Sequence, residues 1–200
     1  MEWRERGGAA ASGGELGGIV RGRGFQLVDA DGDVRGALGM TADGPRMVLY
    51  DVEGWKRVVL HTDEDAPGLV LYGEDEKRRA DLHMDEDGPG LVLYDDDGRK
   101  RAGLDVSEGR SEWEESEPGL ALYDADGKRW AVLDIDEDGP WLALYDYEGR
   151  GRVRLRVGKG GLQMEITDAM GRPQGILRET ADREGLTLFN EAGKKVARLS

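Results

Sequence analysis

Hydrophobic and polar residues alternate along two short stretches of this chain, and the same pair of stretches recurs. In the run GLALYDADGKRWAVLDI at 119–135, Leu120 and Leu122 fall on one face of an extended strand and Tyr123 falls on the other. The second stretch alternates in the same way around Leu133. Between them stands D-A-D-G, which is typical of a tight turn because Asp favours its start and Gly its close. The pattern predicts a β-hairpin.

The hairpin pattern occurs eight times. Its second apolar residue recurs at steps of 22 residues, with a single step of 29, at Leu27, Leu49, Leu71, Leu93, Leu122, Leu144, Ile166 and Leu188. Self-similarity at a fixed period indicates a repeat architecture in which each unit packs on its neighbours.

The turn residues predict the pairing within each hairpin. The turn tetrapeptide ends in Gly in seven of the eight copies, and Glu76 is the exception. A four-residue loop would place Tyr123 opposite Lys128 and Leu120 opposite Ala131, so that the apolar faces of both strands coincide. The prediction is a sheet with one Leu-rich face that must be buried against another layer.

The opposite face carries an aromatic row, formed by Tyr50, Tyr72, Tyr94, Tyr123 and Tyr145. The expected partners across the hairpin are Trp55, Lys77, Arg99, Lys128 and Arg150, so four of the five pairs join an aromatic ring and a cation. Such pairs stabilise a hairpin by about 0.5–1 kcal/mol each at exposed sites. We interpret this face mainly as solvated, with binding of carbohydrate or another ligand as the alternative.

The fold prediction is all-β: eight tandem 22-residue hairpins, about 16 short strands, in an antiparallel meander. Acidic connectors join the hairpins, as in DEDAP at 63–67 and DEDGP at 85–89 and 136–140. A β-solenoid is an alternative, but it would stack these like charges about 4.8 Å apart. A four-bladed propeller is another, but it should show a double-length repeat.

The long step suggests four segments: a flexible Gly/Ala-rich leader at 1–21, repeats one to four at 22–106, an acidic insert at 107–117, and repeats five to eight at 118–200. The two four-hairpin halves could form a sandwich, close into separate barrels, or be covered by another subunit. Within the insert, SEWEESE is compatible with a short helix capped by Ser111. Trp113 would pack over the apolar face or anchor a partner.

The composition of the chain limits the classes of partner that we expect. The formal net charge of −14 disfavours nucleic acid and anionic membranes, because both are bound mainly through Lys and Arg. The absence of Cys excludes disulfides and thiolate metal sites. The sequence has no apolar run long enough for a signal peptide or a membrane span, so the cytoplasm is the default expectation and no membrane insertion is expected.

The best candidate metal site is DIDEDG, with Asp134, Asp136 and Asp138, which matches the first half of a calcium-binding loop. The second half fails, because Tyr145 stands where a bidentate Glu is needed. A solvated acidic turn is the favoured interpretation, with weak Ca²⁺ or Mg²⁺ binding as the alternative. His61 and its counterpart in the next copy, His83, would lie about 9.5 Å apart, too far to share one metal ion.

One resemblance adds to this picture. The run FQLVDADGDVRGAL at 25–38, followed by L-x-L-Y-D-x-x-G-[KR]-x-R-A-x-L units, resembles uncharacterised bacterial proteins whose copies begin F-E-L-V-D-x-x-G-x-V-R-A-x-L. It covers residues 22–200 and implies no activity and no catalytic residues. Copy seven diverges most, with Thr167 in place of Tyr and Pro173 in the second strand.

The functional expectation is a non-enzymatic structural or protein-interaction module, with self-association through the Leu-rich face as one route. No nucleophile motif is present, since none of the serines sits in a G-x-S-x-G run. The alternatives are a calcium-binding repeat module and a ligand-binding aromatic face. No cofactor is expected apart from the calcium of the first alternative.

Overall fold

The computed structural model is an all-β protein, described for residues 22–62, 66–86, 88–107, 117–180, 183–190, 192 and 194–199. Sixteen strands follow one another along the chain. They are β1 (Gly24–Val28), β2 (Val34–Met40), β3 (Pro45–Tyr50), β4 (Lys56–Thr62), β5 (Pro67–Tyr72), β6 (Arg78–Asp85), β7 (Gly88–Tyr94), β8 (Lys100–Ser107), β9 (Glu117–Tyr123), β10 (Arg129–Asp136), β11 (Gly139–Tyr145), β12 (Gly151–Gly158), β13 (Gly161–Thr167), β14 (Pro173–Thr180), β15 (Arg183–Phe189) and β16 (Lys195–Leu199).

The strands form one open antiparallel sheet in chain order, from β1 at one edge to β16 at the other. Within the described ranges each strand contacts only its neighbours in the chain, so the sheet neither closes nor folds onto itself. The predicted meander of short strands is confirmed, and the solenoid and the propeller are not formed. No helix among the described residues is long and apolar enough to cross a membrane.

The sheet is continuous between the two groups of four hairpins. Strands β8 and β9 pair directly, with Ala102 opposite Leu122 and Ser107 opposite Glu117. The additional residues of the long step therefore do not interrupt the pairing of β8 with β9. The helix and the Trp113 anchor expected within it lie outside the described residues, as does the leader at 1–21.

The register within each hairpin differs from the prediction by one residue at the Tyr next to the loop and by two residues along the rest of the strand. Tyr123 lies opposite Arg129, and Leu120 lies opposite Leu133 instead of Ala131. The cause is a β-bulge next to the loop, where Trp130 is an extra residue that no residue on β9 opposes. Because the shift along the rest of the strand is even, the predicted sharing of faces survives.

Two continuous apolar rows cross the whole Leu-rich face. The first, the Leu row, runs through Phe25, Leu38, Met47, Leu60, Leu69, Leu82, Leu91, Leu104, Leu120, Leu133, Leu142, Leu155, Met164, Leu177, Leu186 and Leu199. The second, the alternating row, runs through Leu27, Gly36, Leu49, Val58, Leu71, Ala80, Leu93, Ala102, Leu122, Ala131, Leu144, Val153, Ile166, Gly175, Leu188 and Ala197.

The best-buried side chains lie on the opposite face, which we call the Tyr face. Its central row includes Val59, Val70, Val132 and Ala143, which are only 2–6% exposed. The interpretation of the whole Tyr face as solvated is therefore wrong for this row. These short side chains are flanked by longer ones, Tyr on the loop side and Arg, His or Asp on the connector side, which cover them.

Candidate interaction surfaces

The aromatic row occupies the loop side of the Tyr face. Tyr50, Tyr72, Tyr94, Tyr123 and Tyr145 are all half-buried. Their cross-strand neighbours are Lys56, Arg78, Lys100, Arg129 and Gly151, each one residue later in the chain than predicted. The prediction that Tyr pairs with the residue directly after the turn tetrapeptide is therefore wrong, because the bulge moves the partner by one position.

Two lysines of this face stack on a tyrosine of the next hairpin and not on their own. Lys56 Nζ lies 4.1 Å from the ring centroid of Tyr72, and Lys100 Nζ lies 5.1 Å from that of Tyr123. A third contact joins Arg154 to Trp141 at 6.0 Å. The two Lys–Tyr contacts thus connect neighbouring hairpins, so they stabilise the packing of one repeat beside the next.

Each loop is organised by its first aspartate. In the second hairpin, Asp51 Oδ1 accepts the backbone N–H groups of Glu53 at 3.0 Å and Trp55 at 2.8 Å, and Oδ2 accepts Arg57 Nε at 2.6 Å. The same two backbone acceptances recur at Asp29, Asp95, Asp124, Asp146, Asp168 and Asn190. The D-x-x-G motif therefore closes the turn through its carboxylate as well as its glycine.

The third hairpin departs from this pattern. Gly73 replaces the first aspartate, and Asp75 Oδ1 instead accepts the backbone N–H of Lys77 at 3.2 Å and Arg79 Nη2 at 3.0 Å. Glu76, which stands in place of the usual Gly, has a φ of 56°. This left-handed conformation is uncommon for a residue with a side chain, and it shows that the turn geometry is kept when the glycine is lost.

An arginine six residues after the loop aspartate joins one hairpin to the next. It is the extra residue of the β-bulge, as Arg57 shows by lying between the paired residues Lys56 and Val58. In the first hairpin Arg35 donates both to Asp29, at 2.6 Å, and to the backbone O of Asp51 in the following loop, at 2.7 Å. Equivalent bonds to the next hairpin are made by Arg79, Arg101 and Arg152. Sequence analysis missed this role, although the D-x-x-G-x-x-R spacing carried it.

These bonds lower the pKa of the loop aspartates. For Asp95 the largest cause is the backbone N–H of Arg99, and Arg101 adds to it. For Asp51 partial burial raises the pKa, but the N–H groups of Trp55 and Glu53 and the guanidinium of Arg57 together outweigh it. The pKa is lowered in the same way at Asp29, Asp75, Asp124, Asp146 and Asp168.

We expect acid to destabilise the folded sheet through these carboxylates. Because each folded-state pKa lies below the unfolded value of about 3.9, the stabilisation is fully present above that pH and is lost as pH falls through the folded-state pKa. The melting temperature should therefore hold between neutral pH and about pH 5 and fall below about pH 4. The triple variant Asp51→Asn, Asp95→Asn, Asp146→Asn is the control, because Asn190 shows that Asn keeps the turn. An equally steep acid loss in that variant would refute the assignment.

The three carboxylates proposed for calcium lie near the connector between β10 and β11. Asp138 accepts Arg156 Nη1 at 2.9 Å, and Asp136 pairs with the same guanidinium. Asp134 Oδ1 accepts the backbone N–H of Ile135 at 2.8 Å. The guanidinium of Arg156 therefore already pairs with two of the three carboxylates. Within the described ranges no group of three or more His, Cys, Asp or Glu could hold a metal ion, and calcium binding stays a sequence prediction.

The two histidines each cover a glycine on the following strand. His61 lies opposite Gly68, and a Cβ added to that glycine would come within 2.8 Å of His61 Nε2. His83 has the same relation to Gly90, at 2.7 Å. Gly68 pairs with both His61 and His83, so its strand lies between the strands of the two histidines. Both rings therefore have a packing role that requires the glycine beside them.

The Leu-rich face is apolar, in contrast to the Tyr face. None of the residues in its two rows carries a charge or a polar side chain. Many of its leucines are about half exposed, as in Leu82 at 51%, Leu104 at 48% and Leu133 at 49%. The alternating row places a large residue on the first strand of each hairpin and Gly, Ala or Val on the second.

A shallow groove of about 460 Å³ crosses the Tyr face from β2 to β6. Its floor is the central row and its walls are the aromatic row on one side and the connector-side residues on the other. No family model and no curated protein matches this chain. Its function must therefore be inferred from the Leu-rich face, the loops and this groove.

Proposed function

We propose that the protein is a non-enzymatic structural module that self-associates through its Leu-rich face. The observation that carries this proposal is the pair of unbroken apolar rows across an open sheet, in which many of the leucines are about half exposed. Removing apolar surface of this kind from water is favourable, and among the described residues no second layer covers it.

The size of the face supports an interface. Sixteen strands at about 4.8 Å spacing extend over roughly 70 Å, and two rows along each strand occupy about 14 Å, giving on the order of 1,000 Å². The largest apolar patch on a typical monomer is about 300–600 Å². A stable protein–protein interface buries about 800 Å² on each partner, which this face can supply.

The partner that fits best is a second copy of the same chain. Large and small residues alternate along the alternating row, as in Leu71, Ala80, Leu93 and Ala102. A second Leu-rich face displaced by one strand would place its large residues over the small ones, since both faces have the same period. Interdigitated rows of this kind reach the packing density of a protein interior.

The loop aspartates support the non-enzymatic part of the proposal. General acid catalysis near neutral pH needs a carboxyl group whose pKa is raised toward the working pH. At Asp95, Asp124 and Asp146 the pKa is shifted downward by turn hydrogen bonds. These repeated carboxylates are therefore suited to holding turns and to binding their own arginines.

Light scattering coupled to size-exclusion chromatography tests the proposal. We expect a mass of at least twice the 21.9 kDa chain at micromolar concentration. The mass should fall with dilution, because assembly follows mass action. A mass of one chain at concentrations of tens of micromolar and above would contradict self-association.

A further inference from the structure

The alternating row restricts how a second copy can lie on the Leu-rich face. Every odd-numbered strand places Leu or Ile in this row, and every even-numbered strand places Gly, Ala or Val there. Near the middle of the sheet, Leu93 and Leu122 are each 44% exposed, and Ala102 between them is half-buried. A matching face must therefore place its own small residues over Leu93 and Leu122.

A second copy can be laid on this face in two orientations. The face is long across the strands and narrow along them, so only aligned packing, with strands within about 30° of each other, covers it. Turning the second sheet over about an axis perpendicular to the strands keeps the strand order and reverses the strand direction. After a displacement of one strand, large residues then meet small ones, but only the alternating rows overlie each other. The two Leu rows come to lie on opposite sides of them.

Turning the second sheet over about an axis parallel to the strands reverses the strand order and keeps the strand direction. The Leu rows then overlie each other, and so do the alternating rows. With β1 of one copy over β16 of the other, each odd-numbered strand lies over an even-numbered one, so large residues meet small ones without any displacement. A displacement of one strand would place large residues over large ones, and a displacement of two would leave strands uncovered at both ends.

Eight different contacts follow along the alternating rows, and each occurs twice. In every contact a larger side chain lies over a smaller one. The contacts are Ala102 with the partner's Leu122, Leu93 with the partner's Ala131, Ala80 with the partner's Leu144, Leu71 with the partner's Val153, Val58 with the partner's Ile166, Leu49 with the partner's Gly175, Gly36 with the partner's Leu188, and Leu27 with the partner's Ala197.

We propose, on the basis of the self-association described above, that two copies form a closed dimer around a two-fold axis that runs parallel to the strands between β8 and β9. Repeats one to four of each copy cover repeats five to eight of the other. Because both copies use the same surface, assembly stops at two chains. Both sheets twist with the same hand, so overlying strands keep a common direction.

Electrostatic repulsion between the acidic connectors is weak in this dimer at physiological salt. The connector edges of both copies lie on the same side, which places Asp85 of one copy near the partner's Asp136. Packed sheets are about 10 Å apart. This separation exceeds the Debye length of about 8 Å at physiological salt, so the opposed carboxylates are largely screened from each other.

Chemical cross-linking of single cysteines tests the arrangement, since the chain has no cysteine of its own. Leu104 on β8 lies beside the axis, about 11 Å from the partner's Leu104 across one strand spacing and the gap between the sheets. Leu38 on β2 lies thirteen strand spacings, about 60 Å, from the partner's Leu38, which lies over β15. With a short bis-maleimide linker at physiological salt, we expect full-length Leu104→Cys to link to itself and Leu38→Cys not to. A mixture of Leu38→Cys and Leu186→Cys should link, because β2 lies over the partner's β15.

Light scattering on the same samples separates this arrangement from the proposed function. A mass of one chain for the unsubstituted protein would refute self-association itself. In an associated protein, linking of Leu38→Cys to itself, or no linking of Leu104→Cys, would overturn only the two-fold arrangement. A mass that grows beyond two chains as concentration rises would overturn the closed dimer.

A size swap beside the axis tests one contact directly. Ala102→Leu would oppose two large side chains at the partner's Leu122 and should raise the dissociation constant at least about tenfold, because overpacking is destabilising. Adding Leu122→Ala restores one large and one small side chain and should recover most of the affinity. Circular dichroism checks that both variants keep the sheet. An unchanged dissociation constant for Ala102→Leu, or no recovery in the double variant, would overturn this contact.

Discussion

Replacing Leu82 and Leu133 together by Lys is expected to convert the self-associated protein into a folded monomer. Both side chains belong to the Leu row and are about half exposed in the single chain, at 51% and 49%. In the monomer a lysine stem can lie along the apolar row while its ammonium stays in water. In a face-to-face assembly the same ammonium groups would be buried without a partner, at a cost of several kcal/mol each, so the dissociation constant should rise at least about 1,000-fold.

The measurement is sedimentation velocity, with circular dichroism to confirm that the sheet remains. The matched control adds the same two charges at loop positions, Val52→Lys and Tyr147→Lys, whose side chains are 82% and 73% exposed. We expect the control to keep the assembly of the unsubstituted protein. If both double variants have the same mass, the Leu-rich face is not the interface.

Replacing Gly139 by Ala is expected to destabilise the sheet more than replacing the turn glycine Gly149 by Ala. Gly139 is the first residue of β11 and has a φ of 125°, a conformation that a residue with a Cβ rarely adopts. The added Cβ would also come within 2.3 Å of the backbone O of Val157 on the adjacent strand β12. Strain and the required backbone shift together should lower the free energy of unfolding by about 3 kcal/mol or more.

Gly149→Ala is the control for this substitution. Gly149 closes the D-x-x-G loop with a φ of 80°, and an added Cβ would meet nothing within 4 Å. Only the cost of the left-handed conformation then applies, about 1–2 kcal/mol. Urea denaturation of the two variants should therefore separate them clearly. Equal losses would mean that contact between neighbouring connectors contributes nothing to the stability of the sheet.

The sequence predicted the repeat period, the hairpins and the meander, because both strands alternate and every turn carries its own signal. It did not predict the register, since the bulge residue looks like any other position in an alternating strand. Arg57 illustrates the difficulty: by alternation it belongs to a face, but in the structure it is unopposed and bonds Asp51. The Tyr–cation contacts were misassigned for the same reason, and because they reach the following hairpin.

The alternation pattern also did not predict which residues are best buried. Val59 and Val70 share the face that carries Tyr and charged residues, whereas the leucines form two rows without polar side chains. Burial depends here on the length of the flanking side chains, which cover short residues and leave leucine tips exposed. The groove on the Tyr face results from the same arrangement, since residues on different strands, such as Arg46 and Lys56, line it.

The most direct test of self-association through the Leu-rich face uses a thiol introduced at a single position, because the chain has no cysteine of its own. Leu104→Cys places the thiol in the Leu row, where the side chain is 48% exposed in the single chain, and Val52→Cys places it in an exposed loop. We expect the first thiol to react with Ellman's reagent at least about tenfold more slowly than the second at high protein concentration, and to approach its rate on dilution. Equal rates at every concentration would contradict the proposal, because the Leu-rich face would then be open to solvent.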